Sequence, residues 1–112
     1  MKPLIYLAVP YSHEDKEVRH YRFEQANKAA GKLMSDGKKV FSPISHTHPI
    51  AEVCDLPKGW DYWSEFDKAY MSHCHKIIVL CLEGWTESKG IMAELQIAYE
   101  MGLEVEYMDW PL

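Results

Sequence analysis

The sequence predicts an α/β domain, a three-layer Rossmann-like or flavodoxin-like fold with a mostly parallel sheet of about four to five strands. Two observations indicate this class. Short continuous apolar runs, such as Leu4–Val9 and Lys76–Leu82, are typical of strands that are buried on both faces of a parallel sheet. These runs alternate with segments whose apolar residues recur at helical spacing, and the β-α-β-α-β-α-β order favours right-handed parallel connections.

The first part of the chain is predicted to contain two strands separated by a helix. Pro10 closes the apolar run Leu4–Val9, which is predicted to form the first strand. Apolar residues at helical spacing predict a helix from roughly Glu14 to Ser35, which ends at the helix stop Asp36-Gly37. Lys39–Ser42 is predicted to form a short second strand, which the next proline closes.

The second part continues the alternation after one irregular segment. Ser45–Lys58 contains two prolines and is predicted to be an irregular connection with at most one helical turn. A helix is predicted from Trp60 to about Cys74, and Lys76–Leu82 is the clearest buried strand of the sequence. The remaining predicted elements are the turn Glu83–Ser88, a helix from Lys89 to Met101 and a last strand at Glu104–Met108.

Length and composition restrict the class of protein. The 112 residues fit one domain, residues 1–112, and a composition of 47% apolar and 26% charged residues excludes a wholly disordered chain. A net charge of −5 without a basic stripe argues against nucleic acid polymers as partners, and no apolar run reaches the roughly 18 residues of a membrane span. Cys54, Cys74 and Cys81 form no CxxC pair, which predicts reduced thiols and a cytoplasmic location.

Two carboxylates occupy apolar helix faces. Asp67 lies between Trp63 and Tyr70 on one face of the second predicted helix, and Glu94 has apolar neighbours three and four residues away in the last one. A carboxylate that faces a core is costly unless it is hydrogen-bonded or protonated. Either acid alone is explained by a position at the rim of its stripe. Because both helices flank the strand Lys76–Leu82, the pair predicts a shared acidic site.

Three further residues are candidates for the same site. Ser88 is a natural N-cap of the last helix, and Gly90 would let a ligand approach the free N–H groups there, a position that favours anions. An ordinary helix cap is the alternative interpretation. Tyr6 points to the opposite side of the first strand from its neighbours, so it is either a satisfied core tyrosine or a residue that faces the site.

The loops at the carboxyl ends of the strands are predicted to hold the ligand. They supply the candidate substrate-binding residues Tyr11, Ser12, His13, His46 and His48. On an extended segment, His46 and His48 would face the same side, as zinc ligands can, but no carboxylate or cysteine completes the set at a recognised spacing. His73 and His75 flank the end of a helix, where an imidazolium suits the helix dipole. We therefore predict no metal site.

Three segments carry a family resemblance: YLAVPYSH from residue 6, VFSPISHTHPI from residue 40 and LEGWTESKGIMAEL from residue 82. With the helix aspartate, they resemble the nucleoside 2-deoxyribosyltransferase superfamily, which includes deoxynucleoside-monophosphate N-glycosidases. The chain is most similar to a subgroup of small, functionally uncharacterised bacterial and phage proteins.

The resemblance implies a role for four residues. Glu94 matches the family's catalytic glutamate, Asp67 the aspartate that assists the departing base, and Tyr6 the tyrosine that orients the glutamate. Ser88 matches a serine that helps to hold a 5′-phosphate in the monophosphate hydrolases. The resemblance also implies a homo-oligomer, a dimer or a tetramer. The chain departs from the family at His75, where many relatives have an aspartate. It also departs at Pro10-Tyr11-Ser12-His13, which replaces the glycine-serine-arginine phosphate loop of the monophosphate hydrolases.

These residues suit the cleavage of an N-glycosidic bond. A carboxylate stabilises or bonds the sugar cation of the transition state, and a second acid with a raised pKa protonates the leaving base. Trp60 or Tyr11 is placed to stack on a nucleobase, whereas Trp63 is better explained as core. For Arg22 in the first helix, a salt bridge to a nearby acid is the ordinary explanation and contact with a phosphate is the alternative. We predict an N-hydrolase or deoxyribosyltransferase that acts on a nucleoside or nucleotide without a cofactor. A catalytically silent nucleotide-binding module and a metal-dependent hydrolase are the alternatives.

Overall fold

The apolar runs form four strands in the computed structural model, which describes residues 2–111. The strands are β1 (Leu4–Ala8), β2 (Val40–Phe41), β3 (Cys74–Cys81) and β4 (Glu104–Asp109). They pair in the order β2-β1-β3-β4, and all three pairs are parallel. The predicted α/β class with a parallel sheet is therefore confirmed.

Four α-helices connect the strands. They are α1 (Lys16–Ser35), α2 (Pro43–Cys54), α3 (Trp60–Met71) and α4 (Lys89–Met101), and a single 3₁₀ turn covers Trp85–Glu87. The helix α1 begins after Asp15, whose side chain accepts a hydrogen bond from the backbone N–H of Glu17 at 2.9 Å. The helix α3 ends at Met71, earlier than predicted, because the buried Cys74 already belongs to β3.

The helix α2 corrects the prediction of an irregular connection over Ser45–Lys58. Pro43 occupies the first turn, where its missing N–H has no helical partner, and Pro49 is tolerated inside the helix. The hydroxyl of Thr47 donates to the carbonyl of Pro43 at 2.8 Å. The buried face of α2 holds His48 and Ala51, so burial of this face outweighs the cost of the internal proline.

The sheet has an apolar cluster on each face, as strand alternation requires. Ile5 and Leu7 of β1 pack with the small residues of α1, whereas Tyr6 of β1 packs with residues of α3 and α4. The two clusters make the three layers of a Rossmann-like domain. Tyr6 thus belongs to the same cluster as the helices that carry Asp67 and Glu94.

The order of the strands creates a crevice at the carboxyl ends of β1 and β3. The chain leaves β1 toward β2 on one side and returns to β3 on the other, so the connections diverge between these two central strands. Ligands of open α/β sheets bind at such a switch point. None of the helices within residues 2–111 combines the length and the apolar character needed to cross a bilayer.

Candidate active site

Tyr6 and Glu94 form a buried hydrogen bond under the crevice. Tyr6 lies in the central strand β1 and has no exposed surface, and its hydroxyl donates to Oε2 of Glu94. Glu94 is only 7% exposed, because the neighbouring turns of α4 bury Ile91 and Ala98 against the sheet. The strand and the helix therefore fix both partners of this bond.

Asp67 of α3 lines the same pocket as Glu94. Its interactions with Tyr6 and Glu94 lower its pKa in part. Burial has the larger, opposite effect and raises the pKa of Asp67 to about 6. Burial, and then the charge of Asp67, raises the pKa of Glu94 well above its ordinary value.

The two carboxyl groups therefore titrate as one unit. Burial, followed by the charges of Glu94 and Asp67, also raises the pKa of Tyr6, so the tyrosine stays protonated and remains a donor. Because burial raises the pKa of both carboxyl groups, the pair keeps a proton to a higher pH than exposed carboxylates do. Such a pair holds an acid and a carboxylate at the same place.

Most of the predicted site residues line one pocket above this pair. Its volume is about 70 Å³. The predicted residues in its wall are Tyr11, Ser12, His48, Trp60, Asp67, Ser88, Gly90 and Glu94. Tyr6 reaches the pocket through Glu94. The loop after β1 and the helices α2, α3 and α4 thus converge on one volume, while the roles of these residues in a reaction stay predictions.

Two predicted binding residues lie outside this pocket. His46 packs against Phe41 and Tyr70, with ring centroids at 6.0 and 6.4 Å, and His13 lines a neighbouring cavity. The expectation that His46 and His48 share one side of an extended segment is wrong. Both belong to α2, where residues two apart point about 200° away from each other.

The pocket also contains residues that the sequence did not indicate. Lys58, Thr47 and Trp63 contribute to its wall, although we expected Trp63 in the core. The indole N–H of Trp63 donates to the carbonyl of Pro57 at 2.7 Å, which holds the ring at the rim. Thr47 and Lys58 approach the site because Pro43–Cys54 is helical, and no sequence signal of ours predicted that helix.

Tyr11 and His48 form a second polar pair in the wall. The Tyr11 hydroxyl lies 2.5 Å from Nδ1 of His48, and the His48 ring stacks on Phe23 at 4.4 Å between centroids. Burial is the main cause that lowers the pKa of His48, so the imidazole is neutral near pH 7 and can accept the Tyr11 proton. This pair places a hydroxyl and an imidazole in the wall of the same pocket as the carboxyl pair.

Ser88 acts as the predicted cap of α4. Its Oγ accepts a hydrogen bond from the N–H of Ile91 at 3.2 Å. A Cβ at Gly90 would meet only the Ser88 hydroxyl, at 3.8 Å, so internal packing does not require a glycine there. Both the ordinary cap and a ligand-facing helix start are compatible with these contacts.

Within the part of the chain that the structure describes, Arg22 does not form the expected salt bridge. Arg19, one turn before it in α1, has no salt bridge there either. Nη1 of Arg22 donates to the carbonyl of Ser12 at 3.2 Å, and Nη1 of Arg19 donates to the carbonyls of His13 and Glu14 at 2.6 and 3.2 Å. Both arginines therefore bind the loop that follows β1. Nothing in the sequence indicated that these two arginines would bind backbone carbonyls.

The histidines do not come together with other metal-binding side chains. Across residues 2–111 there is no group of three or more histidine, cysteine or acidic residues that could hold a metal ion. His73 and His75 are exposed beside the start of β3.

Comparison with known proteins finds one family. The model of the family described as "Domain of unknown function (DUF1937)" matches residues 3–110. No curated protein matches the chain.

Proposed function

We propose that the chain, which belongs to the DUF1937 family, cleaves or transfers the N-glycosidic bond of a nucleoside or nucleotide. Glu94 is the nucleophile or the stabiliser of the sugar cation, Asp67 assists the departing base, and Tyr6 orients Glu94. The observation that carries this proposal is that Asp67 and Glu94 line one pocket, where Tyr6 donates a hydrogen bond to Glu94 and burial raises the pKa of both carboxyl groups.

The protonation of the pair suits both halves of the reaction. When the C1′–N bond breaks, its electron pair stays on the base nitrogen, and the proton of the carboxyl pair passes to the base through Asp67, which leaves Glu94 ionised. Both carboxyl groups are then ionised while the sugar carries positive charge, and Glu94 stabilises or bonds C1′. Water or a second base then attacks C1′, and the proton that the attacking group loses restores the pair.

The walls of the pocket suit a nucleoside. Trp60 and Trp63 provide aromatic surface for a base, and Tyr11 and Ser12 provide hydroxyl groups for its polar edges or for the sugar. The enclosed volume of about 70 Å³ is smaller than the roughly 300–1,000 Å³ of typical ligand pockets, so a nucleoside must extend beyond it. The adjoining cavity of about 360 Å³, which shares Tyr11, Ser12 and Lys58, provides that space.

Base release measures this activity directly. The purified chain is mixed with the common deoxynucleosides and their 5′-monophosphates, and free base is followed by chromatography. We expect release by the wild type and a loss of about 10²–10⁴-fold in Glu94→Gln, as for other positioned catalytic groups. Glu100→Gln makes the same change at an exposed position of α4 and should keep full activity.

Two outcomes would contradict the proposal. Equal rates in Glu94→Gln and Glu100→Gln would remove Glu94 from the reaction. Binding of a nucleoside or nucleotide without any release of base would identify a catalytically silent nucleotide-binding module, the alternative that the altered loop Pro10-Tyr11-Ser12-His13 favours.

A further inference from the structure

Arg19 is a buried cation that lacks a carboxylate partner. Its residue is 9% exposed, and no ion pair to it exists among residues 2–111. Nη1 donates to the carbonyls of His13 and Glu14, and Nε is buried without any hydrogen-bond partner in the described structure. Folded chains normally pair a buried charge, because an unpaired one is costly. The charge of Arg19 is therefore only partly compensated by the chain itself.

A cavity of about 360 Å³ lies against this guanidinium. Besides Arg19, its wall consists of Lys58, Glu14 and the loop residues Tyr11, Ser12 and His13. The single acid, Glu14, is exposed and lies on the rim. Lys58 is only loosely paired, because its Nζ lies 3.8 Å from Glu52. Two cations thus face one cavity beside the pocket of the carboxyl pair.

The cavity and the pocket are adjacent, because Tyr11, Ser12 and Lys58 line both. The positive charges of Arg19 and Lys58 also act on His48 in the pocket wall, where both lower its pKa. A ligand that starts at the carboxyl pair and passes Tyr11 therefore reaches the two cations.

We propose that the cavity between Arg19 and Lys58 binds a phosphate group of the ligand whose other end occupies the pocket of Asp67 and Glu94. The phosphate supplies the missing counter-charge of Arg19, and Lys58 closes over it from the loop between α2 and α3. The substrate class is then the nucleoside 5′-monophosphate rather than the free nucleoside. This identification of the ligand rests on the proposed function, whereas the anion site itself does not.

The first measurement uses inorganic phosphate as the probe. The wild-type chain, labelled with ¹⁵N, is titrated with phosphate and with the same ionic strength of chloride. We expect phosphate-specific shifts in the amides of residues 11–14, in Lys58 and in the side-chain signals of Arg19. An absence of such shifts, or shifts confined to the start of α4 at residues 88–91, would overturn the anion site.

The second measurement compares each deoxynucleoside with its 5′-monophosphate. Dissociation constants are determined by calorimetry in a Glu94→Gln background, which prevents turnover. We expect the monophosphate to bind at least about tenfold more tightly, the gain of one charge-assisted hydrogen bond. The quantity of interest is the ratio of the two dissociation constants, because a merely distorted loop would weaken both ligands alike and leave this ratio unchanged.

Three further variants show which residues cause the difference between the two dissociation constants. We expect Arg19→Gln to bring the ratio close to one and Lys58→Gln to reduce it several-fold. Lys28→Gln, which removes one charge from an exposed position of α1, should leave the ratio unchanged. Because Lys58 lies at the surface, Lys58→Gln keeps the test informative even if Arg19→Gln fails to fold.

The remaining outcomes separate the two proposals. A phosphate preference that survives Arg19→Gln and Lys58→Gln but disappears in Ser88→Ala would overturn this site in favour of the α4 N-terminus. Phosphate binding at Arg19 without any preference for the monophosphate would support the site as one for a free anion and refute the nucleotide. The expected ratios without base release from the wild type would support the anion site and refute the N-glycosidic reaction.

Discussion

The ionised forms of Asp67 and Glu94 destabilise the folded chain relative to the unfolded chain, because burial raises the pKa of both carboxyl groups. Burial raises the pKa of Asp67 to about 6, so the folded chain holds a proton there that the unfolded chain has already released. The free energy of unfolding therefore decreases as the pH rises, because the folded chain resists the ionisation of Asp67. Groups that face such a cost and yet lie in a pocket are typical of sites that use their altered protonation.

The first prediction at this scale concerns stability and pH. The free energy of unfolding of the wild type should fall as the pH rises from about 4 to 6, because only the unfolded Asp67 ionises readily in that interval. We expect Asp67→Asn to be more stable than the wild type by on the order of 2 kcal/mol at pH 7.5 and nearly equal to it at pH 4. Urea denaturation at both pH values measures the difference.

The control for this prediction is Asp61→Asn, an exposed acid on the same helix α3. It should not show a gain in stability that grows with pH. An Asp67→Asn variant that is less stable than the wild type at pH 7.5 would show that the folded chain stabilises the ionised form of Asp67. That result would refute a carboxyl pair that keeps a proton.

At the scale of the elements, the two loops of the crevice are linked by Arg22. Its guanidinium donates to the carbonyl of Ser12 in the loop after β1 and lies against Gly84 in the loop after β3. Gly84 has φ +94°, and a Cβ there would lie 2.8 Å from Nη2 of Arg22. The glycine thus provides both the backbone conformation and the space for this arginine.

We expect Gly84→Ala to cost more stability than Gly37→Ala. Both glycines have positive φ, but nothing lies within 4 Å of a Cβ at Gly37, so that variant reports only the conformational cost of about 1–2 kcal/mol. Gly84→Ala should add the displacement of Arg22, and the excess should disappear in an Arg22→Ala background. Urea denaturation of the four variants tests this, and equal costs at the two glycines would refute the contact.

The elements show how far sequence patterns reach. Buried strands and the helices α1, α3 and α4 were predictable because their periodicity and their stops act locally. The helix α2 was not, because its prolines argue against a helix and only packing of His48 on Phe23 and burial of Ala51 favour it. Tertiary contacts of this kind leave no pattern in a single sequence.

The candidate site divides in the same way. Asp67 and Glu94 stand out in the sequence because a carboxylate in an apolar stripe breaks the pattern. Lys58 and Arg19 do not stand out, since a lysine in a loop and an arginine at the start of a helix are common. Their positions depend on α2 and on the path of the loop after β1.

At the scale of the whole molecule, we expect a homo-oligomer, a dimer or a tetramer. The edge strand β4 and the helix α4 present exposed apolar side chains, among them Tyr99 (75% exposed) and Tyr107 (54% exposed). Light scattering of the wild type should give a mass of two or four times 13.1 kDa, and Tyr107→Lys should weaken the assembly. Tyr21→Lys on α1 is the control, and a monomeric wild type would contradict the expectation.

The most direct single measurement is a ¹³C NMR titration of the carboxyl groups of the wild-type chain, assigned with Asp67→Asn and Glu94→Gln. It measures whether the carboxyl groups in the crevice between the two central strands keep a proton that can be transferred to the departing base. The account predicts a midpoint near 6 for Asp67, a midpoint well above the ordinary range of a glutamate for Glu94, and a change in each when the other is substituted. Two independent midpoints at or below about 4.5 would contradict it.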